Sequence, residues 1–388
     1  MKPTRKLPAA DLVAQQLSAQ LQAVIAEKIA DSGGQIAFAD YMQMCLYQPG
    51  LGYYSAGLSK IGAAGDFVTA PEISPLFSQA LARHIADVLL QSSDGDCLEF
   101  GAGSGKMAAD ILQQLAQWDC LPAHYFIIEA SADLRLRQQQ YLSEHIGDIF
   151  EKVIWLDHLP AQFTGVIVAN EVCDAMPVHS LLFDQQGVSE RYISHHNQQL
   201  RWQNGPLSQQ ALAEKARLIK PQLTTTPFIT EVNLFADAWL SSLAQCLQQG
   251  AIFIIDYGHT ASDYFHASRA IGGLRCHYRH EVHDDVFWLP GLQDLTAHVN
   301  FTDLAETAHQ TGLDVAGLQS QADFLLAGDI LSLAQQQESA DLQQIQQSAA
   351  LKRLLLPDQM GAMFKALSLT KNLPPLPRCQ QGDLRWQL

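Results

Sequence analysis

The chain has 388 residues, and 24 Lys and Arg against 40 Asp and Glu give it a formal net charge of −16. Hydrophobic residues make up 47% and charged residues 16%, which excludes an intrinsically disordered chain and indicates a large buried core. The shortage of basic residues argues against a general nucleic-acid-binding protein, because phosphate neutralisation needs clustered Lys and Arg.

Targeting signals and cysteine pairs are not expected in this sequence. No stretch approaches the ~18 consecutive apolar residues of a membrane span, and no apolar segment follows the basic first residues as in a secretory signal. Seven scattered cysteines without a CxxC pair are typical of reduced thiols. We therefore expect a cytoplasmic protein.

In chain order the patterns predict a cover, a parallel core and an antiparallel insertion. Residues 1–75 combine a helix with a long loop rich in glycine and tyrosine. Residues 76–178 alternate strand and helix patterns, which is typical of a parallel, doubly wound sheet. Short strands over 179–227 predict the antiparallel insertion. The alternation of strands and helices returns over 228–388, beginning with the strand FITEVN. We therefore expect a Rossmann-like, seven-stranded α/β core built from 76–178 and 228–388.

Two further predictions concern helices. Pro71 is expected to open a single helix that runs to about Leu90, since proline suits the first helical turn. In the segment PGLQDLTAHVNF, Asp294 and His298 are four positions apart, which would place them on one helical face in a structural role.

The strongest local signal is the segment Glu99-Phe100-Gly101-Ala102-Gly103-Ser104-Gly105-Lys106, where a strand ends and a helix begins. Glycine has no Cβ, so a ligand can approach the backbone near the positive end of the helix. Phe100 and Met107 stand where a P-loop needs Gly and Ser or Thr, and Lys106 stands where a dinucleotide fingerprint needs a small residue. What remains is the ExGxGxG loop of S-adenosylmethionine methyltransferases, with a merely structural turn as the alternative.

The next two strands end near further acidic residues. Glu129 ends the second strand, where a carboxylate can accept hydrogen bonds from both hydroxyls of a ribose, or where it is simply solvated. Asp157 follows the third strand and could accept from an adenine amino group, or be an exposed loop residue.

The fourth strand ends in a second polar cluster, Asn170-Glu171-Val172-Cys173-Asp174. Ligands bind beyond the carboxyl ends of parallel strands, so Asn170 and Glu171 should face the same crevice as the glycine loop. If a helical turn follows the strand, Glu171 and Asp174 share a face. Paired carboxylates suit a cationic nucleophile such as a guanidinium, which they orient and help to deprotonate. The alternative is a helix-capping Asp174 and a solvated Glu171.

Several segments in the right order resemble the MidA-like S-adenosylmethionine-dependent methyltransferases. They span about Ile25 to Leu367 and are YMQMCLYQPGLGYY, GDFVTAPEIS, LEFGAGSGKMA, ANEVCDAMPVH, IDYGH and PGLQDLTAHVNF. Mitochondrial members of that family are complex I assembly factors and act as protein-arginine methyltransferases. The resemblance implies S-adenosyl-L-methionine as the cofactor and an arginine-containing protein as the substrate.

The resemblance also implies roles for individual residues. It places Glu129 on the ribose, with Asn170 and Glu171 at the methyl-transfer end. The segment 65–72 resembles a cover over the cofactor and substrate cleft, with Asp66 and Thr69 as its polar contacts. Around the methionine moiety it places Glu99 and the loop residues Gly101, Ala102, Gly103 and Gly105.

Three more residues are candidates for substrate binding on two further strands. Glu231 and Asp256 end these strands, and either could hold the incoming cation while Tyr257 packs against it. The alternative for each carboxylate is an ordinary strand end without a function in binding.

The histidine-rich segment RCHYRHEVH invites a comparison with zinc sites. Cys276, His277, His280 and His283 cluster there, but the chain has no well-spaced second pair, so we expect no metal. His280 belongs to a segment that recurs within the family resemblance, which favours a substrate-binding or structural role.

On the predicted topology, acidic strand ends form a rim at one edge of the sheet that would attract a sulfonium donor and a guanidinium. We therefore expect a protein-arginine N-methyltransferase, with a substrate related to a respiratory complex by family resemblance and, as one option, a homodimer. A nicotinamide-dependent oxidoreductase and a non-catalytic cofactor-binding assembly factor are the alternatives. The residues of the predicted rim are Glu99, Glu129, Glu171, Glu231 and Asp256.

Overall fold

The structure of the chain is a computed structural model that describes residues 7–56, 69–92, 95–336 and 341–388. These residues divide into two compact units. The first unit consists of the described residues within Met1–Phe67, Asp174–Ala236 and Ser262–His298. The second unit consists of those within Val68–Cys173, Asp237–Ala261 and Val299–Leu388. No helix in the described ranges is both long and apolar enough to cross a lipid bilayer.

Helices and strands alternate along most of the described chain. The helices are α1 (Leu12–Asp31), α2 (Phe38–Tyr47), α3 (Ala70–Ile73), α4 (Pro75–Leu89), α5 (Lys106–Gln117), α6 (Ala132–His145), α7 (Gln210–Ile219), α8 (Leu234–Cys246), α9 (Ala261–Tyr264), α10 (Phe301–Gln310), α11 (Gln321–Ala327), α12 (Ile330–Gln336), α13 (Asp341–Leu355) and α14 (Met360–Met363). The strands are β1 (Gln35–Ala37), β2 (Asp96–Phe100), β3 (Tyr125–Ile128), β4 (Val153–Leu156), β5 (Phe163–Asn170), β6 (His179–Asp184), β7 (Gly187–His196), β8 (Gln199–Gly205), β9 (Phe228–Val232), β10 (Leu247–His259), β11 (Leu274–Tyr278), β12 (Glu281–His283), β13 (Asp294–Ala297), β14 (Val299–Asn300), β15 (Asp314–Ser320) and β16 (Phe364–Lys371).

The second unit is built on one mixed sheet. Seven strands follow the order β15-β16-β10-β5-β2-β3-β4, and the two-residue strand β14 pairs with β10 beside this path. β10, β5, β2, β3 and β4 are parallel to one another, whereas β16 and β15 are antiparallel additions. The predicted Rossmann-like α/β sheet is confirmed.

The sequence of these strands and helices explains their burial. β5 has the sequence FTGVIVAN and is buried at every position but one, as expected for a parallel strand covered on both faces. α5 repeats apolar residues at helical spacing, so that Met107, Ile111 and Leu115 all face the core. Ile111 joins Val166 of β5 and Phe253 of β10 in a single hydrophobic cluster.

The first unit contains two antiparallel sheets. One has the order β1-β7-β6-β9 with β8 paired to β7, and the other has the order β12-β11-β13. Phe38 and Met42 of α2 belong to the same buried cluster as Ile193 of β7 and Leu295 of β13. The predicted antiparallel strands of 179–227 are therefore part of a larger assembly that also includes the N-terminal β1.

The predicted return of FITEVN to the parallel core is wrong. This segment forms β9, which pairs antiparallel with β6 and places Val232 opposite His179 and Phe228 opposite Phe183. A short apolar strand has the same sequence pattern in a parallel and an antiparallel sheet, so the pattern alone could not assign its partner.

The single helix predicted from Pro71 is interrupted at Ser74. α3 ends at Ile73, and Ser74 is extended, with a φ of −162°. Its Oγ accepts from the backbone N–H of Leu76 at 3.2 Å and thereby caps α4. Because Pro75 disfavours a helical conformation at the residue before it, the chain leaves the helix at Ser74 and starts a new one.

Asp294 and His298 do not share a helical face, because Asp294 begins strand β13, which pairs with β11. The hydroxyl of Tyr54 donates to Asp294 Oδ1 at 3.0 Å. The hydroxyl of Tyr264 donates to the backbone carbonyl of His298 at 3.2 Å. The predicted helix is wrong, but the contacts of both residues are structural.

Candidate active site

Parallel strands of the second unit end together at one edge of the sheet. Phe100 of β2 is in register with Ile128 of β3 and Ala169 of β5, and Asn170 of β5 is in register with Ile255 of β10. The carboxyl ends of these strands are where ligands bind in open α/β sheets. Gly101, Glu129 and Glu171 lie just beyond these ends. Asp256 does not end its strand as predicted, because β10 continues to His259.

The glycine loop joins β2 to α5. Gly101, Gly103 and Gly105 have φ values of 63°, 54° and 85°, which lie in the region that favours glycine. The N–H of Gly105 donates to the carbonyl of Ala102 at 2.8 Å and closes the turn. A Cβ added at Gly105 would lie 3.4 Å from Gln138 Cα of α6, an ordinary van der Waals contact, so the φ of 85° and not a lack of space favours glycine there.

Glu99 presents a buried carboxylate just before this loop. Its side chain is 1% exposed, and Tyr125 donates its hydroxyl to Oε2 at 2.6 Å. Burial raises the pKa of Glu99 to about 7, against the opposing effect of the Tyr125 hydrogen bond, and Glu129 adds to the rise. Oε1 has no hydrogen-bond partner within the described chain. A buried acceptor without a donor is costly, so this oxygen is suited to a donor from a ligand.

Glu129 is held in place from the protein side. Its Oε1 accepts from the backbone N–H of Ser131 at 3.0 Å, and its Oε2 accepts from Gln138 Nε2 at 2.9 Å. Burial raises the pKa of its carboxyl, and these hydrogen bonds partly offset the rise. Each carboxylate oxygen can accept a second hydrogen bond, so the group can still receive two hydroxyls.

Asp157 lies at the surface after β4. Arg135 donates Nη1 to its Oδ1 at 2.6 Å, and this guanidinium holds the pKa of the Asp157 carboxyl below its usual range. The side chain is 75% exposed. The ion pair favours the alternative of an exposed loop residue, and the contact with adenine stays a prediction.

Asn170 and Glu171 form a polar pair at the end of β5. Asn170 is 8% exposed and donates Nδ2 to Glu171 Oε1 at 3.3 Å. Asn170 Oδ1 is buried and accepts from none of the described residues. Glu171 has a φ of 54°, and its backbone N–H donates to the carbonyl of Ile255 at 2.9 Å. A left-handed conformation costs a residue other than glycine about 1–2 kcal/mol, and such strain is concentrated at functional sites.

The short helix α3 contacts both the glycine loop and this pair. The N–H of Ala70 donates to Glu171 Oε1 at 3.4 Å. Ser104 Oγ of the glycine loop donates to Glu72 Oε1. Thr69 precedes α3 and accepts from the N–H of Glu72 through its backbone carbonyl at 3.0 Å, so its side-chain contact with the cofactor stays a prediction. Asp66 lies outside the described residues.

Asp256 supports the backbone beside the site. It is fully buried, and its carboxylate accepts from the N–H of Cys173 at 2.9 Å and from that of Tyr257 at 2.8 Å. The Tyr257 ring packs edge-on against Phe364 with centroids 5.7 Å apart. These contacts give both residues a structural function, and their contact with a substrate stays a prediction.

The helical turn that was expected to align Glu171 with Asp174 does not form. The residues after β5 are bends and turns, and Asp174 belongs to the first unit. Its backbone carbonyl accepts from the N–H of Ala297 at 2.9 Å. The left-handed conformation of Glu171 prevents the continuous helical backbone that a three-residue spacing assumes.

Glu231 is a strand residue of the first unit and not of the central sheet. It is 5% exposed, and its Oε2 accepts from the N–H of Gly273 at 2.7 Å. Burial raises the pKa of its carboxyl, while the Gly273 hydrogen bond and then Arg191 and Arg275 oppose the rise. The prediction that Glu231 shares the edge of the central sheet is therefore wrong, because β9 pairs with β6.

His280 and the other residues of the histidine-rich segment lie in the β11–β12 hairpin or on its strands. His280 is exposed in the turn with a φ of 64°, and its contact with a substrate stays a prediction. Cys276 is buried opposite His283. Over the described ranges, no group of three His, Cys, Asp or Glu residues is arranged to hold a metal ion.

Three residues that contact the predicted site were not predicted from the sequence. Tyr125 contacts Glu99, Glu72 contacts Ser104, and Gln138 contacts Glu129. Glu72 lies in the segment GDFVTAPEIS that carried part of the resemblance, so a signal for it existed. Gln138 is one of three consecutive glutamines, and nothing local distinguishes it from its neighbours.

Comparisons with known proteins agree with this geometry. A family described as S-adenosyl-L-methionine-dependent methyltransferases matches residues 80–319. A crystal structure of a Burkholderia thailandensis protein bound to S-adenosyl-homocysteine superposes with a TM-score of 0.94 at 38% identity, covering 99% of this chain and 100% of that one.

Curated relatives are similar over most of their length. The Danio rerio "Protein arginine methyltransferase NDUFAF7, mitochondrial" is 26% identical over 386 residues, which cover 89% of this chain and 85% of the relative. The Caenorhabditis elegans homolog of the same description is 26% identical over 378 residues, which cover 90% and 86%. The family match covers more than half of the chain, so this chain belongs to the S-adenosyl-L-methionine-dependent methyltransferases.

Proposed function

We propose that this methyltransferase modifies an arginine side chain of a partner protein. The observation that carries the proposal is the buried acceptor Asn170 Oδ1 beside the strained Glu171, at the carboxyl end of a parallel strand. A guanidinium offers five N–H donors and no acceptor, so it complements Asn170 Oδ1 and the Glu171 carboxylate, which accept hydrogen bonds. The curated relatives described as protein arginine methyltransferases support the same substrate class.

The residues at the glycine loop suit the cofactor. When bound, S-adenosyl-L-methionine supplies a methyl group attached to a positively charged sulfonium. Glu129 has acceptor capacity left for the two ribose hydroxyls, since its present hydrogen bonds come from Ser131 and Gln138. Glu99 offers the unpartnered Oε1 to the amino group of the methionine moiety. The buried Glu99 carboxylate favours a cationic methyl donor over a nicotinamide dinucleotide, whose pyrophosphate is anionic.

Asn170 and Glu171 would orient the acceptor nitrogen and handle its proton. Asn170 Nδ2 and the N–H of Ala70 hold Glu171 Oε1 in position. The Glu171 carboxylate can then accept the proton that the guanidinium loses during transfer, while Asn170 Oδ1 fixes the direction of a neighbouring N–H. Catalysis would rest on positioning and on carboxylate electrostatics.

The substitution Glu171→Gln tests this assignment. We expect kcat on arginine-containing substrates to fall by about 100-fold or more, because the proton acceptor is lost. The affinity for S-adenosyl-homocysteine should stay within about twofold of wild type, since Glu129 and the glycine loop remain intact. The exposed Glu144→Gln is the control and should match wild type in both measurements.

A substrate search separates an arginine methyltransferase from the other outcomes. Proteome from cells that lack the protein is incubated with it and with isotope-labelled S-adenosyl-L-methionine, and mass spectrometry locates the new methyl groups. Labelled arginine with wild type and none with Glu171→Gln supports the proposal. Labelled lysine, or unchanged labelling with the variant, would contradict it.

A further inference from the structure

Gln138 connects three parts of the cofactor site through one side-chain amide. It lies on α6 and is fully buried. Its Nε2 donates to the carbonyl of Gly103 at 3.1 Å and to Glu129 Oε2 at 2.9 Å. Its Oε1 accepts from the indole Nε1 of Trp155 at 3.0 Å. One residue thus joins the glycine loop, the end of β3 and the strand β4.

The partners determine which way the amide points. A backbone carbonyl and an ionised carboxylate only accept hydrogen bonds, and an indole N–H only donates. Exchanging the nitrogen and the oxygen of the amide would place an acceptor against two acceptors and a donor against a donor. Both N–H bonds of Nε2 are used, so the network holds the amide in one orientation.

We propose that Gln138 is a positioning residue for cofactor binding. Its amide links Glu129 Oε2 to the glycine loop at Gly103, while the N–H of Ser131 donates to Glu129 Oε1 at 3.0 Å. Both carboxylate oxygens are then oriented from the protein side and present their remaining lone pairs to the ribose hydroxyls. This inference rests on the proposed contact of Glu129 with the ribose and is independent of the arginine substrate.

The neighbouring glutamines provide a matched control. Gln140 lies two positions further along the same helix, is exposed and donates to Glu144 Oε1 at 3.1 Å. It has the same helix propensity and side-chain length as Gln138, but its side-chain amide donates to Glu144 of the same helix and to none of the described site residues. A difference between the two positions therefore reports the contacts of Gln138 and not the stability of α6.

The first test is Gln138→Met, which keeps the length of the side chain and removes its hydrogen bonds. Isothermal titration with S-adenosyl-homocysteine should give an affinity roughly 10-fold weaker than wild type, since one of the lost bonds joins a charged group. At saturating S-adenosyl-L-methionine kcat should change less than about twofold, so that the KM for the cofactor carries the effect. Gln140→Met should bind like wild type.

The second test is Gln138→Glu, which faces Glu129 with a second carboxylate. Two close carboxylates cannot both ionise without cost, so one of them retains a proton. The ratio of the variant's Kd to that of wild type should therefore rise between pH 6 and pH 8.5. A ratio that stayed constant over this range would show that the side chain at position 138 is not coupled to Glu129 during binding, and would overturn the proposal.

The outcomes distinguish the positioning role of Gln138 from the contact of Glu129 with the ribose, on which that role rests. Wild-type affinity in Glu129→Gln would overturn the contact with the ribose, and this proposal with it. Weak binding in Glu129→Gln with wild-type binding in Gln138→Met would overturn the positioning role alone. If Gln138→Met does not fold, Trp155→Phe decides, because it removes the N–H that anchors Gln138 Oε1 and keeps an aromatic ring beside Phe150. Binding weakened about threefold would support the proposal, and unchanged binding would overturn it.

Discussion

Glu99 lowers the stability of the folded protein when it is ionised, and the same buried carboxylate is the acceptor that it offers to a ligand. The carboxyl is buried beside Tyr125, and its pKa is raised to about 7 from the ordinary value of 4.5. The folded protein therefore binds this proton more tightly than the unfolded chain does. As the pH rises from about 4.5 to 7, the folded state loses stability, and above about pH 7 the full cost of up to about 3 kcal/mol is present.

We expect wild type to bind S-adenosyl-homocysteine more tightly at pH 8 than at pH 6, because the ionised Glu99 is the better acceptor. Glu99→Gln should bind more weakly at pH 8 and lose that dependence on pH. Without ligand, the same variant should unfold at a higher temperature than wild type at pH 8, since it no longer buries a charge. Titration calorimetry and thermal unfolding measure these effects, with the exposed Glu151→Gln as control. A variant that kept the wild-type dependence on pH would contradict the role given to Glu99.

At the scale of elements, two glycines allow the central strands to approach. Gly165 of β5 lies between Asp96 of β2 and Gly250 of β10 in the register of the sheet. A Cβ at Gly165 would lie 2.0 Å from the carbonyl oxygen of Asp96, and one at Gly250 would lie 1.8 Å from that of Gly165. These are backbone atoms of paired strands, so they cannot move aside without breaking the sheet.

Gly165→Ala should destabilise the protein by roughly 3 kcal/mol, the upper end of the cost of an added carbon in a packed core. Gly187→Ala is the control, since Gly187 has nearly the same φ, 133° against 131°, and nothing within 4 Å of its added Cβ. Chemical denaturation of both variants separates the clash from the backbone strain. Equal losses of stability would show that φ, and not the approach of the strands, requires glycine at Gly165.

At the scale of the whole molecule, the first unit contains two antiparallel sheets and the second one mixed sheet, and each unit has buried hydrophobic clusters of its own. Five of the acidic residues that contribute to the net charge of −16 were expected to form a rim of strand-end carboxylates. Glu99, Glu129 and Glu171 lie at or next to strand ends of the central sheet, whereas β10 continues past Asp256 to His259, and Glu231 is on β9 of the first unit. Glu99 and Asp256 are buried, so the electrostatic attraction of cations depends mainly on Glu129 and Glu171.

Ligand binding should stabilise the whole molecule selectively. S-adenosyl-homocysteine at about 100 times its Kd should add about 2.7 kcal/mol to the free energy of unfolding and raise Tm by several degrees. NAD at the same concentration should leave Tm unchanged, because the loop lacks the small third residue of the dinucleotide fingerprint. Thermal unfolding with each ligand measures this. A shift with NAD and none with S-adenosyl-homocysteine would contradict the cofactor assignment.

The sequence alone predicted those parts of the site that depend only on local sequence pattern and on the topology of the parallel strands. The buried strand before Gly101, the strand end at Glu129 and the pair Asn170-Glu171 were predicted at one edge, because parallel strands present their carboxyl ends together. Their register in the structure agrees with this prediction. The order of these strands along the chain was sufficient to predict that the three positions lie at one edge of the sheet.

Only the tertiary structure decided which residues meet across the chain. β9 pairs with β6 rather than with the central sheet, and the helical turn after Glu171 is replaced by a left-handed residue. Gln138 contacts Glu129, while Gln140 faces solvent. Strand partners, burial and the hydrogen bonds of a buried amide depend on atoms far apart in sequence, and no local pattern encodes them.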